Sequence, residues 1–308
     1  MSGSLRDLFP PTIHVLQRGW LSSNNILFVG REQTALIDSG YATHAPQTVA
    51  LVAEVLQGRS LDWLINTHIH SDHCGGNAAL QQAYGCRTSI PAAEASRVRD
   101  WDQSALGYLA TGQQCARFNF DDTLQGGDEI MLGDVGWQVL AAPGHDPHSL
   151  IFYCPQYRTL ISADALWEKG FGVIFPELDG ESGFAEARAT LEMIAELDIA
   201  LVIPGHGQPF TDIASALTFA NSRLDYLSAE PARNAQNALK VLLKFLLLEH
   251  QQLSLAEVSR IVATTPLIVS TNARHLHLSD TELTTWLIAQ LVRAGAAKVD
   301  GDSLLNAD

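Results

Sequence analysis

Positive charge is scarce in this chain: 19 Lys and Arg stand against 34 Asp and Glu, a formal net charge of −15. Binding modes that neutralise many phosphates are disfavoured, so neither nucleic acid nor an anionic membrane is expected as a partner. Long hydrophobic runs are also missing. The longest aliphatic block, Val241–Leu248, is broken by Lys244 and falls far short of the roughly 20 residues that cross a bilayer. Between Met1 and Val15 no basic segment precedes an apolar run, so no secretory signal is expected there. Cysteine is limited to Cys74, Cys86, Cys115 and Cys154, irregularly spaced in 308 residues. That usage excludes a disulfide framework and predicts free, partly buried thiols in a cytoplasmic protein. There is no Gly-x-Ser-x-Gly elbow and no phosphate-binding loop pattern, which removes two common catalytic designs.

What is present is apolar residue in quantity, 46% of the chain, enough for one large domain or a large and a small one. Thr12–Leu16, Asn25–Val29 and Thr34–Asp38 are short β-rich runs broken by turn residues and predict a meander. Thr48–Leu56, Gly76–Tyr84 and Ala92–Arg99 carry helical patterns, and Trp63–Asn66 reads as a buried strand. Glu129–Leu132, Trp137–Ala141, Leu150–Tyr153 and Thr159–Ser162 return to β, followed by an amphipathic helix over Glu181–Leu197 and a strand over Ala200–Ile203. Two β-then-α passes predict an α+β fold, an αββα sandwich of two facing sheets with helices outside. From Asp212 the β signal fades. Ile213–Leu227, Ala232–His250, Leu255–Thr264 and Thr281–Ala294 read as helices, and Ala297–Val299 with Ser303–Leu305 as a terminal hairpin. The expected division is 1–210 for a catalytic domain and 211–308 for a helical, winged-helix-like appendage.

The informative stretch is Thr67-His68-Ile69-His70-Ser71-Asp72-His73. His68 and His70 are two apart at the end of a strand, so their imidazoles project to one side. Asp72 and His73 follow as the chain turns. Four donor side chains so close together suit two metal centres, and burying them without a cation would be costly. His145, Asp164 and His206 each end a later strand-like run, in Pro143-Gly144-His145, Ala163-Asp164 and Pro204-Gly205-His206. Strand ends of a sandwich gather at one rim, where distant residues can meet.

This set of His68-x-His70-x-Asp72-His73 with His145, Asp164 and His206 resembles the metallo-β-lactamase superfamily, of the dinuclear glyoxalase II-like type. The likeness covers about residues 12–210. It implies that His68, His70 and His145 bind one metal ion, that Asp72, His73 and His206 bind a second, and that Asp164 bridges them. Nitrogen-rich sites with a bridging carboxylate suit two divalent ions: zinc first, with iron or manganese as alternatives. Asp38, in Leu36-Ile37-Asp38-Ser39-Gly40, matches the family's early aspartate, which implies a partner that orients a ligand. On the residues alone an Asx turn after a strand is an equal reading.

Two such ions lower the pKa of a water between them towards neutrality and polarise the bond under attack, so the resemblance implies hydrolysis by metal-bound hydroxide. Asp72 is the candidate to orient that nucleophile or take its proton. A small-molecule thioester or related acyl ester is the expected substrate. One departure stands beside a ligand: glyoxalase II usually continues Pro-Gly-His-Thr-Pro-Gly, whereas this chain reads His145-Asp146-Pro147-His148-Ser149. His148 is read as a surface turn residue, with contact to the substrate or to a metal ligand as the alternative. Trp167, Phe171 and Phe175, in the aromatic and Gly-containing run after Asp164, line an acyl pocket or belong to the core, and Tyr41 is a further rim candidate.

The C-terminal part is expected to form a pocket wall or a homodimer contact. A DNA-binding wing is disfavoured, since residues 251–308 hold four Lys and Arg against six Asp and Glu, a net of −2. Lys240 and Lys244 read as a solvated face, or as contacts to an anionic substrate tail. Competing functions for the same donors are a metal-dependent phosphodiesterase or ribonuclease and an iron-dependent, persulfide dioxygenase-like oxidoreductase.

Overall fold

The computed structural model describes Phe9 and residues 11–307. The reading of the first residues as lacking a signal therefore falls largely outside the described part. Two sheets stand face to face. The first contains β1 (Ile13–Leu16), β2 (Asn25–Val29), β3 (Thr34–Ile37), β4 (Trp63–Ile65), β5 (Arg87–Pro91) and β6 (Asp122–Leu124), in that spatial order. β1 to β3 form the expected antiparallel meander, and β3 to β6 run parallel. The second sheet has the order β11-β10-β9-β8-β7, from β7 (Glu129–Leu132), β8 (Val135–Ala141), β9 (Leu150–Cys154), β10 (Thr159–Ala163) and β11 (Leu201–Pro204). Only β10 and β11 are parallel there.

The central strands are apolar at consecutive positions because both of their faces are covered. Ile26, Phe28, Ala35, Ile37, Trp63 and Ile65 point between the sheets, where they meet Trp137, Val139, Phe152, Ile161 and Ile203. Alternate residues Leu27, Leu36 and Leu64 point outward and pack with Val52, Leu56 and Leu80 of two helices, α1 (Ala45–Leu56) and α3 (Asn77–Tyr84). A single turn, α2 (Ser71–Cys74), lies between those helices in the chain. On the other outer face Ile151, Leu160 and Val202 pack with α7 (Phe184–Glu196) and α8 (Ile213–Ser228). Three short helices complete this part: α4 (Ala95–Asp100), α5 (Tyr108–Thr111) and α6 (Pro176–Asp179). This is the αββα sandwich.

The remaining helices are α9 (Pro231–His250), α10 (Leu255–Thr264), α11 (Pro266–Thr271) and α12 (Asp280–Arg293). With them goes an antiparallel sheet of β12 (Gln252–Ser254), β14 (Ser303–Asn306) and β13 (Ala297–Asp300). The terminal hairpin is the expected one; the third strand β12 carries too short a pattern to read in advance. Their apolar cluster is aliphatic, with Leu239, Leu243, Leu247, Val258, Ile268 and Leu287 among its buried members. Side-chain packing carries α8 into the sandwich cluster, while the cluster built on α9 to α12 also takes in Val173, and Leu178 of α6. Among the described residues no helix is long and apolar enough to cross a membrane.

Candidate metal centre

Each candidate donor leaves the end of a strand on a backbone held in place by its neighbours. β4 runs out through Asn66 and Thr67 to His68 and His70, and α2 then turns Asp72 and His73 back toward them. Hydrogen bonds between the turns fix their spacing: Leu150 N to Thr67 O at 2.8 Å, Gly205 N to Ala163 O at 2.7 Å and Ser23 N to Asp72 O at 2.9 Å. Two glycines are required by close approach. A Cβ at Gly205 would collide with Asp164 Oδ1, and one at Gly172 with the ring of His145.

The seven side chains meet at one place. His70 Nδ1 and His145 Nε2 are 2.8 Å apart, and His68 joins them in a group whose donor atoms all lie within 4.8 Å of one another. Asp72, His73 and His206 form a second such group, with His206 Nε2 3.2 Å from Asp72 Oδ2. Asp164 stands between the two. Its Oδ2 is 3.5 Å from His145 Nε2, while its Oδ1 is 3.5 Å from His73 Nε2 and 3.9 Å from His206 Nε2. Asp38 lies behind His73, accepting a hydrogen bond at Oδ2 from its Nδ1 at 2.7 Å. It also accepts from the Thr67 N–H at 2.9 Å and the Thr67 hydroxyl at 2.8 Å. With Nδ1 held by Asp38, the His73 ring directs Nε2 toward Asp164.

Electrostatics separate the two groups. Burial and the neighbouring imidazoles hold the pKa of His68 well below its ordinary value, burial lowers that of His70, and burial with the field of His70 brings His145 down to about 4. These rings are neutral near pH 7, with lone pairs free to donate. His73 moves the other way: burial opposes its protonation, but Asp164 and Asp38 outweigh burial and raise its pKa well above the ordinary value. Burial likewise opposes ionisation of Asp164, yet His73 and His206 hold that carboxyl well below the usual range. Positive charge is therefore stabilised at this point of the molecule. His68 Nε2 and His73 Nε2 are buried without a hydrogen-bond partner, a costly condition that a bound cation relieves. Orphaned ring nitrogens, the neutral imidazoles of His68, His70 and His145, and ionised carboxylates together fit a pair of divalent metal ions.

The pocket candidates divide. Trp167 donates its indole N–H to Asp164 Oδ1 at 3.2 Å, and its ring meets that of His206 at 5.5 Å. Phe175 lies on the opposite side, 5.2 Å from the His70 ring and 5.6 Å from that of His145. Phe171 is buried in the cluster under α7 and α8, so it belongs to the core near the donors. Tyr41 is not a rim residue. It is fully buried, packed edge-on against Phe245 of α9, with its hydroxyl donating to Glu249 and accepting from the Gln114 N–H. A tyrosine after the Asp38 turn meets α9 there, and α9 cannot be placed from sequence pattern.

The turn after His145 also differs from its surface reading. His148 is hydrogen-bonded to the buried Glu94, which also accepts from Arg97 at 3.0 Å. Asp146 accepts from the His148 N–H at 2.7 Å and stands 3.7 Å from His70 Nε2. Lys244 is half-buried, and its ammonium donates to Ala296 O, Ala307 O and Asn306 Oδ1 rather than standing free on a helix face. All four cysteines are free thiols, and the Cys74 and Cys115 sulfurs lie 3.8 Å apart. Sequence reasoning missed Trp20, whose ring stacks on His206 at 5.6 Å with 7° between the planes. No local pattern marks it; only its position three residues before Ser23, itself bonded to Asp72, brings it to the donors.

A rim of histidines around a central aspartate, at the strand ends of an αββα sandwich, defines the donor set of a metal-dependent hydrolase. The family profile of the Metallo-beta-lactamase superfamily matches residues 18–206, and the chain belongs to that superfamily. Among curated proteins it is similar to a hydroxyacylglutathione hydrolase of Brucella anthropi, 28% identical over 226 residues, which span 72% of this chain and 77% of that protein. It is also 28% identical to the one of Hyphomonas neptunium, over 44% of this chain and half of that protein. Two solved structures share the fold. The metallo-beta-lactamase family protein TTHA1429 from Thermus thermophilus aligns over 96% of this chain and 99% of its own, with TM-score 0.58 and 18% identity. TTHA1623 in a di-iron-bound form aligns over 67% and 98%, with TM-score 0.54 and 24% identity.

Proposed function

We propose that this protein is a dinuclear metal-dependent hydrolase that cleaves a thioester or a related small acyl ester. The observation that carries the reading is the convergence of two donor groups on Asp164, with the His68 and His73 Nε2 atoms buried and unpaired. The bond is assigned with the support of relatives that are named hydroxyacylglutathione hydrolases.

His68, His70 and His145 would hold one ion, Asp72, His73 and His206 the other, and Asp164 both. When bound, the pair lowers the pKa of a water and polarises the scissile carbonyl. The protein's own groups do the rest. Asp38 fixes the tautomer and direction of His73, and the Trp167 indole fixes the direction of Asp164. Burial opposes ionisation of Asp72, but the His206 hydrogen bond and the field of His73 keep its pKa below the ordinary value. Asp72 is then a carboxylate that can orient the attacking water and accept its proton at an oxygen beside His206. Phe175 and Trp167 keep bulk water from opposite sides of the cluster. We place the protein in a reducing compartment, the cytoplasm, which suits its free thiols.

The test is a panel of acyl-coenzyme A and acyl-glutathione thioesters offered to chelator-stripped protein and to protein reloaded with zinc, iron or manganese. Turnover that appears only on reloading is expected. Inert thioesters, together with cleavage of bis(p-nitrophenyl) phosphate or oxygen uptake with glutathione persulfide, would replace the reading.

A further inference from the structure

Trp20 is 57% exposed, yet it stands on a turn held by many hydrogen bonds. The four residues after it, Leu21 to Asn24, are buried. The turn is closed on itself by Ser22 N to Gly19 O at 3.1 Å and by Arg18 N to Asn24 Oδ1 at 3.0 Å. It is tied to the donor-bearing turns by Ser23 N to Asp72 O at 2.9 Å and Asn24 N to Gly205 O at 2.6 Å. The Asn24 amide adds bonds to Pro204 O and Gly207 O on either side of His206. Arg18 braces the base of the turn on Asn25 and Thr48. A loose surface tryptophan would need none of this.

The indole so presented lies parallel to the His206 ring and edge-on to Trp167, with ring centroids 5.4 Å apart in the second pair. The backbone of Trp167 is paired with Gly170, and Phe219 of α8, itself 46% exposed, reaches to within 3.8 Å of the Cβ position of Gly170, beside Arg223, whose Cδ and Nε lie at 3.1 and 3.4 Å. An aromatic surface, edged by Arg223, thus runs outward from His206. One group on a small substrate fits a rigid, exposed indole beside the reacting centre: a flat aromatic ring, which stacks or packs edge-on at little entropic cost to either partner.

We infer that Trp20, with Trp167, forms a binding shelf for an aromatic ring attached close to the scissile carbonyl, so that the substrates are aryl-bearing acyl compounds and Trp20 sets the specificity. The kind of bond cleaved rests on the hydrolase reading above; the shelf does not.

Two measurements on the zinc-loaded full chain keep these apart. Calorimetry with acetate, phenylacetate and 1-naphthylacetate reads binding without turnover. The intact protein is expected to bind the aryl acids about tenfold or more tightly than acetate. That preference should collapse in Trp20→Ala and be largely kept in Trp20→Phe. The kcat/KM ratio of phenylacetyl to acetyl N-acetylcysteamine thioester should fall about tenfold in Trp20→Ala, mainly through KM. Equal binding of acetate and the aryl acids, or a ratio that Trp20→Ala leaves unchanged, overturns the shelf. So does a Trp20→Ala variant altered only in its sedimentation, which would make the residue a contact between copies. If the binding preference follows Trp20 while no thioester is cleaved, the shelf stands and the hydrolase reading falls.

Discussion

The donor rim and the C-terminal helices solve opposite problems. Around the rim the chain accepts conditions that oppose folding. Asp38 and Ala163 take positive φ angles of 59° and 45° just after or at the end of their strands, although neither is glycine. Carboxylates and imidazoles are buried together, and three ring nitrogens, of His68, His73 and His206, have no hydrogen-bond partner. After α9 begins, local rules agree with one another. Ser254 and Ser279 each open a helix with a full capping box, to Glu257 and Glu282, and the core beneath is aliphatic. There the positive φ angles of Gln251 and His277 merely end helices. Among its described residues the C-terminal part leaves only the uncharged Asn234, Thr271 and Thr284 oxygens buried and unpaired, so the buried charge gathered at the rim marks that region as the place of function and the other as support.

The comparison can be pressed hardest in the support. Leu287 is fully buried in the aliphatic cluster, so Leu287→Ala should cost about 2–5 kcal/mol in urea unfolding. Below the unfolding transition the variant should still bind its full complement of metal; a parallel loss of metal would join the two regions into one unit. Next in size, Asp38→Asn removes the charged acceptor behind His73 and should weaken metal binding about 10- to 100-fold in a chelator competition. Unchanged affinity with lowered stability would move Asp38 to the structural side.

The smallest effect lies at the caps. Ser254→Ala should cost about 1 kcal/mol with turnover intact. Hydrogen bonds from the Ser254 N–H and hydroxyl hold the pKa of Glu257 below its ordinary 4.5. Its stabilising contribution is therefore complete above 4.5 and is lost as pH falls through the lower folded value. Glu257→Gln should flatten that part of an acid-unfolding curve, and an unchanged curve would remove the box from the account.

Strands and helices with strong periodicity could be read from the chain to within a few residues, β2 and α10 among them. The seven donors were legible because five lie just past strand ends, and Asp72 and His73 on the turn that follows β4, which puts them on one rim. Short elements were not: β5 begins with an exposed Arg87 and β12 spans three residues, so neither shows a pattern above its surroundings. Tyr41 and His148 were misplaced for a common reason. What engages them, Phe245 of α9 and Glu94 before α4, is distant in sequence and supplies no local signal.

By itself the order of residues determined which atoms can donate to a cation and that strand ends would carry them, because side-chain alternation and turn chemistry act within a few positions. The distances among His70, His145 and Asp164, the orphaned nitrogens and the exposed indole on His206 were decided only when the two sheets packed. Those depend on where separate segments come to rest, and contact across space is set by the whole core rather than by any one stretch of chain.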